Sequence, residues 1–230
     1  MNLPGMAFPA FIPKISNYAD IALVYKWYKI GNVSPAYSNS YSSPGTYSVG
    51  DVIIMFVESV NEVNTINSAG YIKIADILGN GTTLSTYYHI VDGSDNGFFW
   101  GTTTNHFSYY FMVYSGVDII NPINTFATSK QDTSTTLLSA PAVTSSRKKC
   151  CVINTTGCRF GNYMGNGASA WTNSYLSAFA ELCDLQGNVS AIVIASGVLP
   201  TAGDSGITTF TYSTSTPAVS ITLALNPKEL

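Results

Sequence analysis

The sequence predicts an all-β protein: a two-sheet antiparallel β-sandwich of jelly-roll type with an extended N-terminal arm. Three observations carry this expectation. Only 10% of the 230 residues are charged while 46% are hydrophobic, against about a quarter charged in an ordinary soluble domain. Solubility therefore falls to Ser, Thr, Asn and Gly, which suit turns and pleated surfaces better than helix faces. The 15 Tyr and 11 Phe are side chains that strands favour. Finally, Val219, Ile221, Leu223 and Leu225 recur at every second position with Ser220 and Thr222 pointing the other way, the period of a half-buried strand.

Taken in order, residues 1–20 are broken by Pro4, Pro9 and Pro13, which donate nothing to a ladder, so this stretch reads as an extended arm. Residues 21–30 (IALVYKWYKI) are aromatic and β-branched and are stopped by Gly31-Asn32, which favours a first strand over a helix. Residues 34–48 are rich in Ser and Tyr, with turns at Pro35 and Pro44-Gly45. The expected division is thus 1–45, arm and first strand, and 46–230, sandwich body. A core strand is expected at 51–59 and another at 71–78, followed by Gly79-Asn80-Gly81, a hairpin signal that supplies positive φ angles. Strands should follow at 84–91, 98–103 and 106–115, with a turn at 92–97 and Gly116 as the stop. Residues 121–147 are full of Thr, Ser and Pro and read as a long connection crossing between sheets. Three more strands are expected at 149–154, 178–185 and 191–195, the middle one with Phe179, Glu181, Cys183 and Leu185 on one face. A turn at 200–206 precedes alternating segments at 207–213 and 219–225. About ten to twelve strands without a helix imply two stacked sheets.

Charge and composition exclude several functions. A net charge of −3 leaves no footprint for nucleic acid, and the one basic cluster, Arg147-Lys148-Lys149, reads as a solvated loop or a strand-edge guard. The strongest apolar run, Val52 through Val57, is far short of the ~20 residues that span a bilayer, so no membrane is expected. No basic residue precedes the proline-broken apolar stretch at 3–12, which argues against a secretory signal and for residence in a cytosol. Cys150, Cys151, Cys158 and Cys183 fit neither zinc nor redox spacing. Buried free thiols are expected, with a Cys158–Cys183 disulfide left open for a protein that matures outside a cell.

Reactive chemistry finds little to work with. His89 and His106 are the only histidines, each inside an aromatic strand and without a nucleophile elbow. A glycosidase needs two opposed carboxyl groups, and the strand-borne candidates are Glu58 and Glu181. Asp92, Ser94, Asn96 and Gly97 match the first half of a calcium loop, but its twelfth position is Thr103 where a bidentate Glu is required. A turn capped by its own side chains is the better account. GNYMGNG at 161–167 lacks the Lys-Ser or Lys-Thr of a phosphate loop. No catalytic, metal-binding or cofactor-binding residue is expected, and the chain reads as non-enzymatic.

Several tracts together carry a likeness. GDVIIMFVES (50–59), AGYIKI (69–74), YYHIVDGSDNGFFW (87–100), YSGVD (114–118), AGDSGI (202–207) and AVSITLAL (218–225) resemble a β-sandwich domain found in virion proteins of tailed bacteriophages, over about residues 46–227. The resemblance implies a virion component made in the host cytoplasm: a head-decoration protein, or an accessory part of a tail fibre. It implies other virion proteins and further copies of itself as partners, a trimer for instance, with a host glycan as ligand in the tail case. It carries over no catalytic residue. The arm has no counterpart in it; a proline-rich arm loses little conformational freedom on docking, so it is expected to anchor the body to a neighbour.

Overall fold

The computed structural model describes residues 17–31, 37–42, 47–61, 65–66, 70–93, 98–103, 107–159, 168–186 and 190–230. Among these there are sixteen strands and no helix. The first eight are β1 (Ala22–Gly31), β2 (Tyr37–Ser42), β3 (Val52–Ser59), β4 (Thr65–Ile66), β5 (Ile72–Leu78), β6 (Thr83–Ile90), β7 (Phe98–Thr103) and β8 (Phe107–Ser115). The remainder are β9 (Ile123–Ala140), β10 (Thr144–Ser145), β11 (Cys150–Arg159), β12 (Ala168–Thr172), β13 (Ser177–Gln186), β14 (Ser190–Leu199), β15 (Gly203–Asp204) and β16 (Thr208–Leu225). Of the arm, residues 1–16 lie outside the described residues, as do His106, 94–97 of the calcium-like turn and the glycine-rich 161–167.

Two antiparallel sheets stack face to face. The first runs β1-β8-β3-β6-β5, and the second runs β13-β14-β11-β16-β9, with β12 also against β16. Alternation decides what meets between them. Val52, Ile54 and Phe56 of β3 and Met112 and Tyr114 of β8 meet Ile192 and Ile194 of β14, Ile153 of β11, and the Val219, Ile221, Leu223, Leu225 row of β16 in one cluster. Burying each aliphatic or aromatic side chain there stabilises the fold by about 1.5–3 kcal/mol.

Every strand of the first sheet comes from residues 22–115 and every strand of the second from residues 123–225. A jelly roll passes consecutive strands back and forth between its sheets, and this connectivity does not meet that expectation. The chain finishes one sheet before starting the next.

Both sheets are also covered on their outer faces, which is why β3 and β8 are buried along nearly their whole length and read as unbroken apolar runs. On the first sheet, Ile53, Met55, Val57, Tyr109, Phe111 and Val113 form a second cluster. The connections from β1 to β3 and from β6 to β8 must run the length of this sheet, because Gly31 pairs with Phe107 at one end while Val52 pairs with Ile90 and Tyr114 at the other. Their extended parts, β2 and β7, pair with each other, and β7 pairs with β4, as a separate three-stranded sheet.

On the second sheet the cover is a ribbon folded from its own strands. The β9–β16 register slips between Thr211 and Thr216 and again before Ala218, and bulges of this kind bend a strand. The bend is sharp enough for the Ser139 N–H to donate to Gln131 Oε1 at 3.0 Å and for the Ser139 carbonyl to accept from Ser220 Oγ at 3.0 Å. Leu138, Phe210 and Tyr212 thereby land on Cys158, Val193 and Ala218. The segment expected as a connection at 121–147 is thus mostly the 18-residue β9. Its exposed positions mix Phe126 and Leu137 with Thr128, Lys130, Asp132, Thr133, Ser134 and Thr136, which hid the alternation.

Two smaller differences have local causes. Only Gly81 of the 79–81 turn has positive φ (+89°), so one glycine suffices there. Bulges break the β13 register between Ser177 and Ala180 and between Glu181 and Cys183. Cys183 and Leu185 therefore face the core between the sheets, while Phe179 packs on the outer face and Glu181 pairs with Ala195, turned away from that core. The awkward glutamate is not on the apolar face after all.

Candidate functional site

Among the described residues, those with reactive potential are dispersed. His89 sits in β6 with its ring stacked on Tyr71 at 4.9 Å, 6% exposed. Glu58 is fully buried between the sheets, accepts a hydrogen bond from Thr82 Oγ1 at 2.7 Å, and lies so close to Gly157 that a Cβ there would sit 3.0 Å from its Cγ. Glu181, by contrast, belongs to the outer side of the second sheet, near Asp184; burial and that neighbouring carboxylate push its pKa up. The second sheet stands between Glu58 and Glu181, so they do not oppose each other across a cleft.

All four cysteines are free and buried. Cys183 is in the cluster between the sheets and Cys158 in the cluster on the outer face, so their side chains point to opposite sides of one sheet and no bond can join them. Burial pushes Cys151 and Cys183 up to about 12 and raises Cys158 and Cys150 as well. At neutral pH these thiols stay protonated and are poor nucleophiles or ligands. Among the described residues no group of three or more His, Cys, Asp and Glu is placed to hold a metal ion.

The built features lie at one end of the sandwich. There β8 ends, β3 begins and β6 ends, as the pairings of Val52 with Tyr114 and Ile90 require. Gly116 of the YSGVD tract has φ +75°, and a Cβ on it would collide with the Asp20 carbonyl oxygen. Its glycine is demanded twice, by backbone conformation and by close approach. The Lys228 N–H donates to the Gly116 carbonyl, the Ala19 N–H to that of Lys228, and the Leu230 N–H to that of Asn17, each at 2.8 Å. Residues 17–20, 116–118 and 226–230 are thus laced into one pad.

The basic run closes the same pad. Arg147 Nη1 meets Asp118 Oδ2 at 3.0 Å, with both side chains half-buried. Asp118 also accepts from the N–H of Ile120 through Oδ1 at 3.0 Å. Lys149 Nζ meets Asp20 at 2.9 Å, and Lys148 Nζ lies 6.0 Å from the Tyr18 ring centroid. The cluster read from sequence as a solvated loop or edge guard lies at the surface, with Lys148 exposed and the Asp20 partner of Lys149 at 90% exposure, and its Arg147 is tied to the partly buried Asp118. Next to Asp118 in the chain, Ile119 and Ile120 stand in water at 46% and 84% exposure, while the exposed Val49 lies by Gly93, where β3 begins and β6 ends. Apolar side chains framed by charged pairs have the anatomy of a protein contact surface.

Each lateral opening between the sheets holds a cleft. One of about 480 Å³ lies between the free edges of β5 and β9, lined by Lys73, Ile74, Tyr88, Ile123 and Phe126. The other, about 290 Å³, lies between β1 and β13; there Lys26 Nζ donates to the Leu182 carbonyl at 2.9 Å and Tyr28 stacks on Tyr110 with an interplanar angle of 3°. Tyr28 keeps 57% of its surface in water.

The sequence pointed to the YSGVD tract and to the basic run separately. It gave no sign that Asp20, Asp118, Arg147 and Lys149 meet, since their partners are 29 and 129 positions apart in the chain. No family model matches the chain, and no curated protein or solved structure matches it either.

Proposed function

We propose that this chain is a non-enzymatic structural component of a tailed-phage virion, a decoration protein that joins its neighbours through the pad at the 17–20, 116–120 and 226–230 end. The observation that carries the reading is the exposed pair Ile119 and Ile120 next to the partly buried ion pair of Asp118 with Arg147. Burying these two aliphatic side chains is worth about 3 kcal/mol or more, and Asp118, held by Arg147 and by the Ile120 N–H, fixes the backbone beforehand, which lowers the entropic cost of docking. The rest of the body supports an inert role: its sheets are covered on both faces and its thiols are protonated. The likeness of its tracts to virion β-sandwich domains supplies the setting. Residues 1–16 join the body at Asn17, within this pad, so an arm there would extend the same contact, and further copies of the chain are the natural neighbours.

The test is assembly. Ile120→Asp should lower incorporation into purified particles at least tenfold while leaving the melting temperature of the isolated protein within about 2 °C. Normal incorporation, or absence of the protein from parent particles, would overturn the reading.

A second reading, a tail-fibre or baseplate adhesin, is favoured by the cleft beside Tyr28. An exposed flat ring next to the Lys26 ammonium is a surface on which a sugar ring can stack and hydrogen-bond. Locating the protein on tails alone, together with glycan binding lost in Tyr28→Ala, would replace the first reading with this one.

A further inference from the structure

The turn between β5 and β6 fixes a chemically labile pair. Gly79 N–H donates to the Thr82 carbonyl at 2.9 Å, and Asn80 and Gly81 form the tip between them. Position 81 has two separate demands for glycine. Its φ is +89°, and a Cβ there would lie 2.6 Å from Cδ and 2.8 Å from Nη1 of Arg159. Any other residue would be strained by its backbone and would displace the arginine. Asn80, which precedes it, is exposed to water. The fold thus holds next to an exposed asparagine a glycine that has no side chain of its own and is itself buried, with Arg159 packed on it.

We infer that Asn80 is a site of deamidation through a succinimide, and that Arg159 assists the reaction. The Gly81 nitrogen gives up its proton to water and attacks Asn80 Cγ. A C–N bond forms, the tetrahedral intermediate expels ammonia, and a five-membered imide remains. Water then opens the imide at either carbonyl, giving aspartate or, with the main chain rerouted through the side chain, isoaspartate. No oxidant or other co-reactant is needed. Both the deprotonated nitrogen and the tetrahedral oxyanion carry negative charge, and the Arg159 guanidinium packed on Gly81 is a positive group beside the place where it develops. Arg159 acts here through its charge alone. Its own place is set by β11, where it pairs with Ser190, and by the hydrogen bond from Thr216 Oγ1 to its carbonyl at 2.6 Å. The product adds a carboxylate beside that guanidinium, so the modified turn gains a local partner for its new charge.

The full-length protein is incubated at neutral pH, folded or in urea, and chymotryptic peptides are followed for a gain of about one dalton and for isoaspartate. Peptide-level resolution is needed because Asn96-Gly97 and Asn166-Gly167 are of the same type. Asn80 should convert in the folded protein. Arg159→Gln should slow that conversion about threefold, the scale of a solvent-screened charge, and should change nothing in urea. Added salt should slow the parent and leave Arg159→Gln unaffected. An Asn80 that stays intact when folded while converting in urea would overturn the site. Equal folded rates with and without the Arg159 charge, at any salt, would overturn the assistance.

Discussion

At the scale of the residue, environment cancels intrinsic reactivity. Four thiols in a chain of 230 residues look like resources, yet each is buried where its charged form is disfavoured. For the cysteines the sign is plain: burial raises the pKa, so the protonated thiol is the native species, and it persists until the pH climbs toward the raised value. Native protein at pH ~8 should therefore react with a thiol reagent at well under one group per chain, and denatured protein at all four. Rapid labelling of the folded protein would show that these sites open more readily than their packing allows. Gly116 is the opposite case, a residue with no chemistry and a large structural duty. Gly116→Ala forces a Cβ against the Asp20 carbonyl in a left-handed backbone, and a loss of about 2 kcal/mol or more is expected in a denaturant titration. The sequence located this glycine in a tract, but the carbonyl it must avoid lies 96 positions earlier and was invisible.

At the scale of the element, the edges of the sheets decide what can be removed. β1 is an edge strand, but Leu23 packs into the cluster between the sheets and Trp27 into the one on the outer face. Residues 17–31 therefore belong to the body, and the useful cut is at 16. Removing residues 1–16 should leave a cooperative thermal transition with a β-type circular dichroism spectrum. Removing 1–31 also strips β8 of its β1 partner, leaves both clusters open at one side, and should give an aggregating or unfolded product. The element that sequence reading missed, β9, failed for an identifiable reason. Strands are recognised by apolar alternation, and β9 puts Phe126 and Leu137 in water among Thr, Ser, Lys and Asp, so apolar residues do not mark its covered face. Its partner β16 was legible because Val219, Ile221, Leu223 and Leu225 are covered by the first sheet.

At the scale of the whole molecule, the two halves of the chain make separate sheets whose mutual burial is the main core. Neither half can bury its inner face alone, so unfolding should be a single transition by near-ultraviolet and far-ultraviolet circular dichroism alike. The proposed attachment surface belongs to this scale too. It joins the described start of the chain, its end, and the junction between the two halves at residues 116–120, so docking there would clamp the segments that tie one sheet to the other.

The sequence by itself determined the class of structure, because low charge, aromatic content and period-two burial are local properties that no later packing reverses. It also located most strands and the turns that separate them. Tertiary structure alone decided which strands became neighbours, that each half would keep to its own sheet, and that the β9–β16 ribbon would fold back as a cover. It alone brought Asp20 to Lys149 and Asp118 to Arg147, and it set Cys158 and Cys183 on opposite faces. The reason is physical: hydrogen-bonded ladders accept almost any side chain, so pairing is selected by the burial that the complete assembly of strands provides, and a bulge of a single residue is enough to exchange the faces.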